Sequence, residues 1–77
     1  MKLTYDRDRN IAYLRLNPKG QEVETVRVSD ELNVDLAPDG SVYGIELLNA
    51  NHQLRAGDDG RLVVVDPSGE ERSLKVA

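Results

Sequence analysis

The chain of 77 residues contains no cysteine, no phenylalanine and no tryptophan, and it contains a single histidine. The absence of cysteine excludes disulfides and zinc–thiolate sites, which stabilise many domains of this size. A domain this small buries only about 60% of the surface that its unfolded chain exposes, so its own core is marginal. Regular strands, tight turns and association with another chain are the remaining sources of stability.

Long apolar runs and an excess of positive charge are also lacking. Fourteen acidic residues against ten basic ones give a net charge of −4, whereas a nucleic-acid binder needs lysine and arginine in excess. Arg7, Arg9 and Arg15 could form a local basic patch, but Asp6 and Asp8 are at hand to pair with them. No stretch approaches the roughly 20 apolar residues of a membrane span. We therefore expect a soluble, cytoplasmic protein that binds neither nucleic acid nor a membrane.

What the sequence does contain is short runs of alternating apolar and polar residues, each ended by a turn rich in Asp, Asn, Gly or Pro. Alternation places one set of side chains on one face of a strand. The turn residues tolerate the backbone conformations that tight turns require. The pattern predicts strands at residues 2–6, 11–16, 22–28, 31–37, 41–48, 61–66 and 70–76.

These strands predict an all-β or nearly all-β fold in a single domain, residues 1–77. We expect an antiparallel meander of about five strands followed by a C-terminal hairpin, as a small roll or two-layer sandwich. One short helix at most is expected, near residues 50–56. Gly44 interrupts the longest apolar strand and predicts a bulge, a bend or a close approach by a neighbour. The predicted core comprises Leu14, Leu16, Val26, Val28, Leu32, Val34, Leu36, Ile45, Leu47, Leu62 and Val64.

One motif matches the start of a calcium-binding loop. Asp6, Asp8 and Asn10 have the spacing with which an EF-hand loop opens, but that loop also needs glycine at its sixth position and glutamate at its twelfth. Those positions hold Ile11 and Asn17. The motif therefore predicts a polar hairpin turn.

The remaining candidates for chemistry are isolated. His52 is the only imidazole, and a transition-metal site would need further nitrogen or sulfur ligands. Glu46 lies in the most apolar strand, where it could form a structural ion pair with Arg15 or Arg27 or act as an acid. The serines lie at turns and strand ends, and the glycines are spread over separate turns. No catalytic, cofactor-binding or metal-binding residue is assigned, and we expect no enzyme activity and no cofactor.

The strand at residues 61–66 carries four consecutive apolar residues, so both of its faces are apolar. Only one face can reach the core of so small a domain. Residues 50–56 could cover the other face within one chain, or a second chain could cover it. We predict a homodimer that uses the C-terminal hairpin, with Val63 and Val65 in the interface.

Several short motifs follow one another in a fixed order over residues 1–54. They are Tyr5-Asp6, Ala12-Tyr13-Leu14-Arg15-Leu16, Glu24-Thr25, Val34-Asp35-Leu36, Asp39-Gly40, Gly44-Ile45-Glu46-Leu47-Leu48 and Ala50. In this order and spacing they resemble the small bacterial family known as domain of unknown function 2283. The resemblance implies a compact, mainly β fold and brings no established activity, cofactor or catalytic residue. Residues 55–77 form an additional hairpin outside the resemblance.

Two classes of function remain open. The first is a non-catalytic module for protein interaction or self-association. The alternative is a small enzyme or a metal- or ligand-binding domain whose site is assembled between subunits from Asp6, Asp8, Glu46 or His52. The resemblance also implies an antitoxin-like regulatory partner as an alternative, since some members of the family look like neighbours of toxin genes.

Overall fold

The computed structural model describes residues 1–18, 20 and 22–77. Lys19, which belongs to the turn predicted after the second strand, lies outside the described residues, as does Gln21. The described part contains seven strands, a one-turn helix and a 3-10 turn at Asp58–Gly60. In chain order the elements are β1 (Lys2–Asp6), β2 (Ile11–Arg15), β3 (Glu24–Ser29), β4 (Leu32–Leu36), β5 (Val42–Leu48), α1 (Ala50–Gln53), β6 (Arg61–Val65) and β7 (Glu71–Lys75).

The first five strands form one antiparallel sheet in the order β1-β2-β5-β4-β3, and β6 pairs with β7 in a separate hairpin. The mainly β, antiparallel fold is thus confirmed, with one short helix. The strand order differs from that of a simple meander because β2 pairs with β5. Strands β3 to β5 follow one another as hairpins while β2 returns beside β5, which is a Greek-key arrangement. The longest and most apolar strand thereby gains a neighbour on each side.

The register gives the sheet one apolar and one polar face. A row of directly opposed residues crosses all five strands on the apolar face: Leu3, Leu14, Ile45, Val34 and Val26. The next row, on the polar face, contains Thr4, Tyr13, Glu46, Asn33 and Arg27. The sequence pattern therefore assigned these side chains to the correct sides of their strands.

Two irregularities interrupt this register. The pairing of β3 with β4 shifts between Arg27 and Ser29, which makes a bulge on an edge strand. The pairing of β4 with β5 shifts where Val42, rather than Tyr43, lies opposite Leu36. The second shift lies directly beside Gly44, where the sequence predicted a bulge or a close approach.

The predicted core is wrong in its degree of burial. Within the described residues, the buried hydrophobic side chains are small: Ala12, Ala37 and Ala50. Six predicted core residues are half-buried: Leu14, Leu32, Val34, Leu36, Ile45 and Leu47. The other five are exposed: Leu16, Val26, Val28, Leu62 and Val64. The reason is that the rest of the chain covers only part of the apolar face of the five-stranded sheet.

The helix α1 is tied to the sheet by polar contacts. The Gln53 side chain donates hydrogen bonds to the carbonyls of Glu31 and Leu48 at 2.9 and 2.6 Å, and the Asn10 side chain accepts from the Asn51 backbone N–H at 2.7 Å. Ala50 packs beneath this turn and is fully buried. None of the helices described is both long enough and apolar enough to cross a membrane.

The C-terminal hairpin is closed mainly on itself. The backbone N–H groups of Val76 and Ala77 both donate to the carbonyl of Gly60, at 2.8 and 3.0 Å. Lys75 Nζ donates to the Asp59 carbonyl at 3.0 Å. The hairpin packs only loosely on the five-stranded sheet.

Candidate functional site: the uncovered apolar face

A groove of about 640 Å³ separates the sheet from the hairpin. The apolar face of the sheet, the chain after α1 and the hairpin all contribute to its lining. The groove is lined mainly by aliphatic side chains, among them Leu3, Leu14, Ile45, Leu47, Leu54, Leu62, Leu74 and Val76. Gln53, Asp58 and Arg61 supply polar atoms at its margin. An apolar groove with a polar margin fits an apolar segment of another molecule.

The apolar surface extends beyond this groove in two directions. On the hairpin, Leu62 and Leu74 are 51% and 66% exposed although they line the groove. On the sheet, the β3–β4 half carries Val26, which is 40% exposed and lies opposite Val34. Monomeric soluble proteins rarely leave connected apolar surface of this kind open.

The hairpin presents its valines on two faces. Leu62 lies opposite Leu74 and shares its face with Val64, whereas Val63 lies opposite Ser73 and shares its face with Val65. Val63 is half-buried and Val65 is 57% exposed. The interface role assigned to Val63 and Val65 stays a prediction. The side lined by Leu62 and Leu74 is the one that continues the groove.

The polar face of the sheet carries a hydrogen-bonded cluster that sequence reasoning missed. The Tyr13 hydroxyl donates to Asp35 Oδ2 at 2.6 Å, and the Thr25 hydroxyl donates to Asp35 Oδ1 at 2.6 Å. Asp35 is thus engaged through both oxygens. These contacts join β2, β4 and β3 across the sheet, so the cluster has a structural role.

Gly44 makes this cluster possible. The Tyr13 ring crosses β5 at Gly44, where an added Cβ would lie 2.5 Å from Tyr13 Cζ and 2.7 Å from Cε1. Only a residue without a side chain lets the ring pass and reach Asp35. A glycine within an apolar strand was the signal in the sequence, and the tyrosine on the neighbouring strand was its missing partner.

Burial of Tyr13, followed by its hydrogen bond to Asp35 and the negative charge of that carboxylate, raises the pKa of the Tyr13 phenol above its usual value. Because the folded state holds the proton more tightly than the unfolded chain, Tyr13 contributes stability below about pH 10 and loses it above that pH. We expect the melting temperature to fall as pH rises from 9 to 11.5. The Tyr13→Phe variant should fall less steeply over the same range. An equally steep fall in that variant would contradict the assignment.

The sequence-predicted turn residues have structural roles. Asp6 Oδ1 accepts the backbone N–H of Arg9 at 3.0 Å, and Asn10 adopts a left-handed backbone with φ of 60°. This hydrogen bond and the left-handed conformation of Asn10 form the polar hairpin turn that the motif predicted between β1 and β2. Asp8 is exposed on the same turn.

The other candidates are separated. His52 is exposed on α1, while Glu46 lies on the polar face and accepts Asn33 Nδ2 at 2.9 Å. Arg27 pairs with Asp30 at 2.8 Å, so Glu46 has an amide partner where the sequence suggested an arginine. Within residues 1–18, 20 and 22–77, no cluster of three or more His, Cys, Asp or Glu is placed to hold a metal ion. A site assembled between subunits stays a prediction.

Fold and surface together define a small antiparallel β domain. The side chains on its polar face hydrogen-bond to one another, and its apolar face is partly exposed to solvent. Residues 2–51 match the model of the family described as protein of unknown function (DUF2283). This match covers about two thirds of the chain, and the chain belongs to that family. The hairpin β6–β7 lies outside the matched region. Comparison with curated proteins and with solved structures found no match.

Proposed function

We propose that the protein is a non-catalytic interaction module that docks another polypeptide on its apolar sheet face and groove. The observation that carries the proposal is the lack of any large side chain that is fully buried within the described residues. Complete burial of one Val or Leu side chain stabilises a protein by about 1.5–3 kcal/mol. A partner that covers several of the half-exposed side chains therefore contributes a part of this value for each of them, which offsets the cost of association.

The polar face supports the same proposal by contrast. Its acidic side chains accept hydrogen bonds from neighbouring strands, as Asp35 does from Tyr13 and Glu46 does from Asn33. A face whose polar groups are already paired offers little to a ligand. The two faces thus differ in what they leave unsatisfied, and the apolar face is the one that gains from a partner.

Site-specific photo-crosslinking in the organism of origin tests this function. Val26 and Arg27 are neighbours on β3 whose side chains lie on opposite faces. A photoreactive phenylalanine analogue at position 26 should give a discrete crosslinked species of higher mass, and the same analogue at position 27 should give far less. Equal crosslinking from both positions, or none from position 26, would overturn the proposal.

A further inference from the structure

We infer that the polypeptide docked on the apolar face is a second copy of this chain, related by a two-fold axis. In this dimer the Leu62 and Leu74 face of each hairpin, rather than the Val63 and Val65 face predicted from the sequence, covers the open β3–β4 half of the sheet of the other copy. This inference rests on the proposed function and names its partner. The exposed surface area, the two incomplete apolar surfaces and the small core of the single chain each support it.

The first support is the amount of surface that the single chain leaves exposed. The chain has an accessible surface of 5731 Å², whereas a compact monomer of its mass exposes about 4,700 Å². The excess of about 1,000 Å² matches the share of about 800 Å² that each partner contributes to a standard interface. The radius of gyration of 13.7 Å likewise exceeds the value of about 11.5 Å for a compact chain of this length.

The second support is that each copy carries two incomplete apolar surfaces. The hairpin offers Leu62 and Leu74, which the groove leaves more than half exposed. The sheet offers Val26, Val34 and Leu36 on its β3–β4 half. Strands β3 and β4 do not line the groove, whereas the neighbouring strand β5 does. A two-fold axis produces two equivalent contacts, in each of which the hairpin of one copy packs on the sheet of the other. Both apolar surfaces of both copies are thereby covered.

The third support concerns when the face must be covered. Among the residues that the structure describes, the buried hydrophobic side chains are alanines, so the core available to one chain is small for its length. A surface that the fold itself needs to bury requires a partner that is present whenever the chain folds. A second copy of the chain is made together with the first, and it covers the face at concentrations above the dissociation constant of the dimer.

Charge determines how this association responds to salt. Each copy carries a net charge of −4, so two copies repel one another at long range. Salt screens that repulsion and leaves apolar contacts in place. The dimer should therefore be unchanged or tighter at 0.5 M sodium chloride than at 0.05 M, whereas an association held by ion pairs would weaken.

The purified chain provides the test. Light scattering coupled to gel filtration at 10–100 μM should report about twice the 8.6 kDa mass of one chain. Leu74→Lys should raise the dissociation constant by about 30-fold or more, as expected for an apolar residue at the centre of an interface. Ser73→Lys is the matched control, since it adds the same charge to the opposite face of β7, and it should stay dimeric.

The outcomes separate this inference from the proposed function. A wild-type chain that has the mass of one chain at 100 μM would overturn the inference that the partner is a second copy. A crosslink from position 26 to a different polypeptide would then still support the proposed interaction module. A monomeric wild-type chain together with no crosslink from position 26 would overturn both the dimer and the proposed function. If Ser73→Lys and not Leu74→Lys dissociates the dimer, the interface lies on the Val63 and Val65 face. Circular dichroism verifies that each variant is folded, and Val26→Lys on the sheet provides a second disruptive variant.

Discussion

Val34→Asp should abolish cooperative unfolding of the domain at pH 7. Val34 lies in the middle of β4 and is half-buried in the apolar row, between Val26 on β3 and Ile45 on β5. A carboxylate placed there without a partner costs several kcal/mol. A domain of this size has only about 5 kcal/mol of stability to lose. Thermal unfolding followed by circular dichroism measures the result directly.

Val34→Thr is the matched control for this substitution. Threonine keeps the shape and the branching of valine and adds one hydroxyl, so the variant should stay folded and unfold at a lower temperature. A Val34→Asp variant with a thermal transition like that of the wild type would show that residue 34 does not lie on the apolar face. The register of β4 would then be wrong.

The second large effect is expected at Gly44. Gly44→Val should destabilise the domain by about 2–3 kcal/mol, because the new side chain expels the Tyr13 ring and breaks its charge-assisted hydrogen bond to Asp35. Valine is otherwise the better strand former, so the direction of the effect is opposite to that expected from intrinsic propensity. Denaturation in urea gives the free energy of unfolding.

A double-mutant cycle identifies the cause. In the Tyr13→Ala background the ring is already absent, so Gly44→Val should cost less than about 1 kcal/mol. The difference between the two backgrounds measures the coupling of Tyr13 to Gly44. Equal losses in both backgrounds would show that Gly44 is required for some reason other than passage of the tyrosine ring.

The sequence was sufficient for the strands and for the faces of the sheet. Alternation is a local property, so Leu14, Val34 and Ile45 could be assigned to one side of their strands without knowledge of the neighbours. Strand order depends on which hairpins pair, and no local pattern states that β2 returns to β5. The meander expected from sequence order therefore differs from the Greek-key order that forms.

The burial of the apolar residues could not be predicted for a related reason. A pattern tells which side chains seek an apolar environment, and it does not tell whether the same chain supplies one. Val26 and Leu62 were placed in a core, and both are exposed in the single chain. The Tyr13–Asp35 contact was missed because it joins strands that are adjacent only through the pairing of β2 with β5 and of β5 with β4.

The bulge between Arg27 and Ser29 bears on the size of the assembly. A sheet grows into a fibre when a straight edge strand pairs with the edge of the next molecule. Strand β3 is such an edge, and its bulge interrupts the regular spacing of N–H and C=O groups that this pairing requires. The bulge therefore hinders polymerisation through β3, and the proposed two-fold dimer, in which the apolar faces cover one another, would stop at two chains.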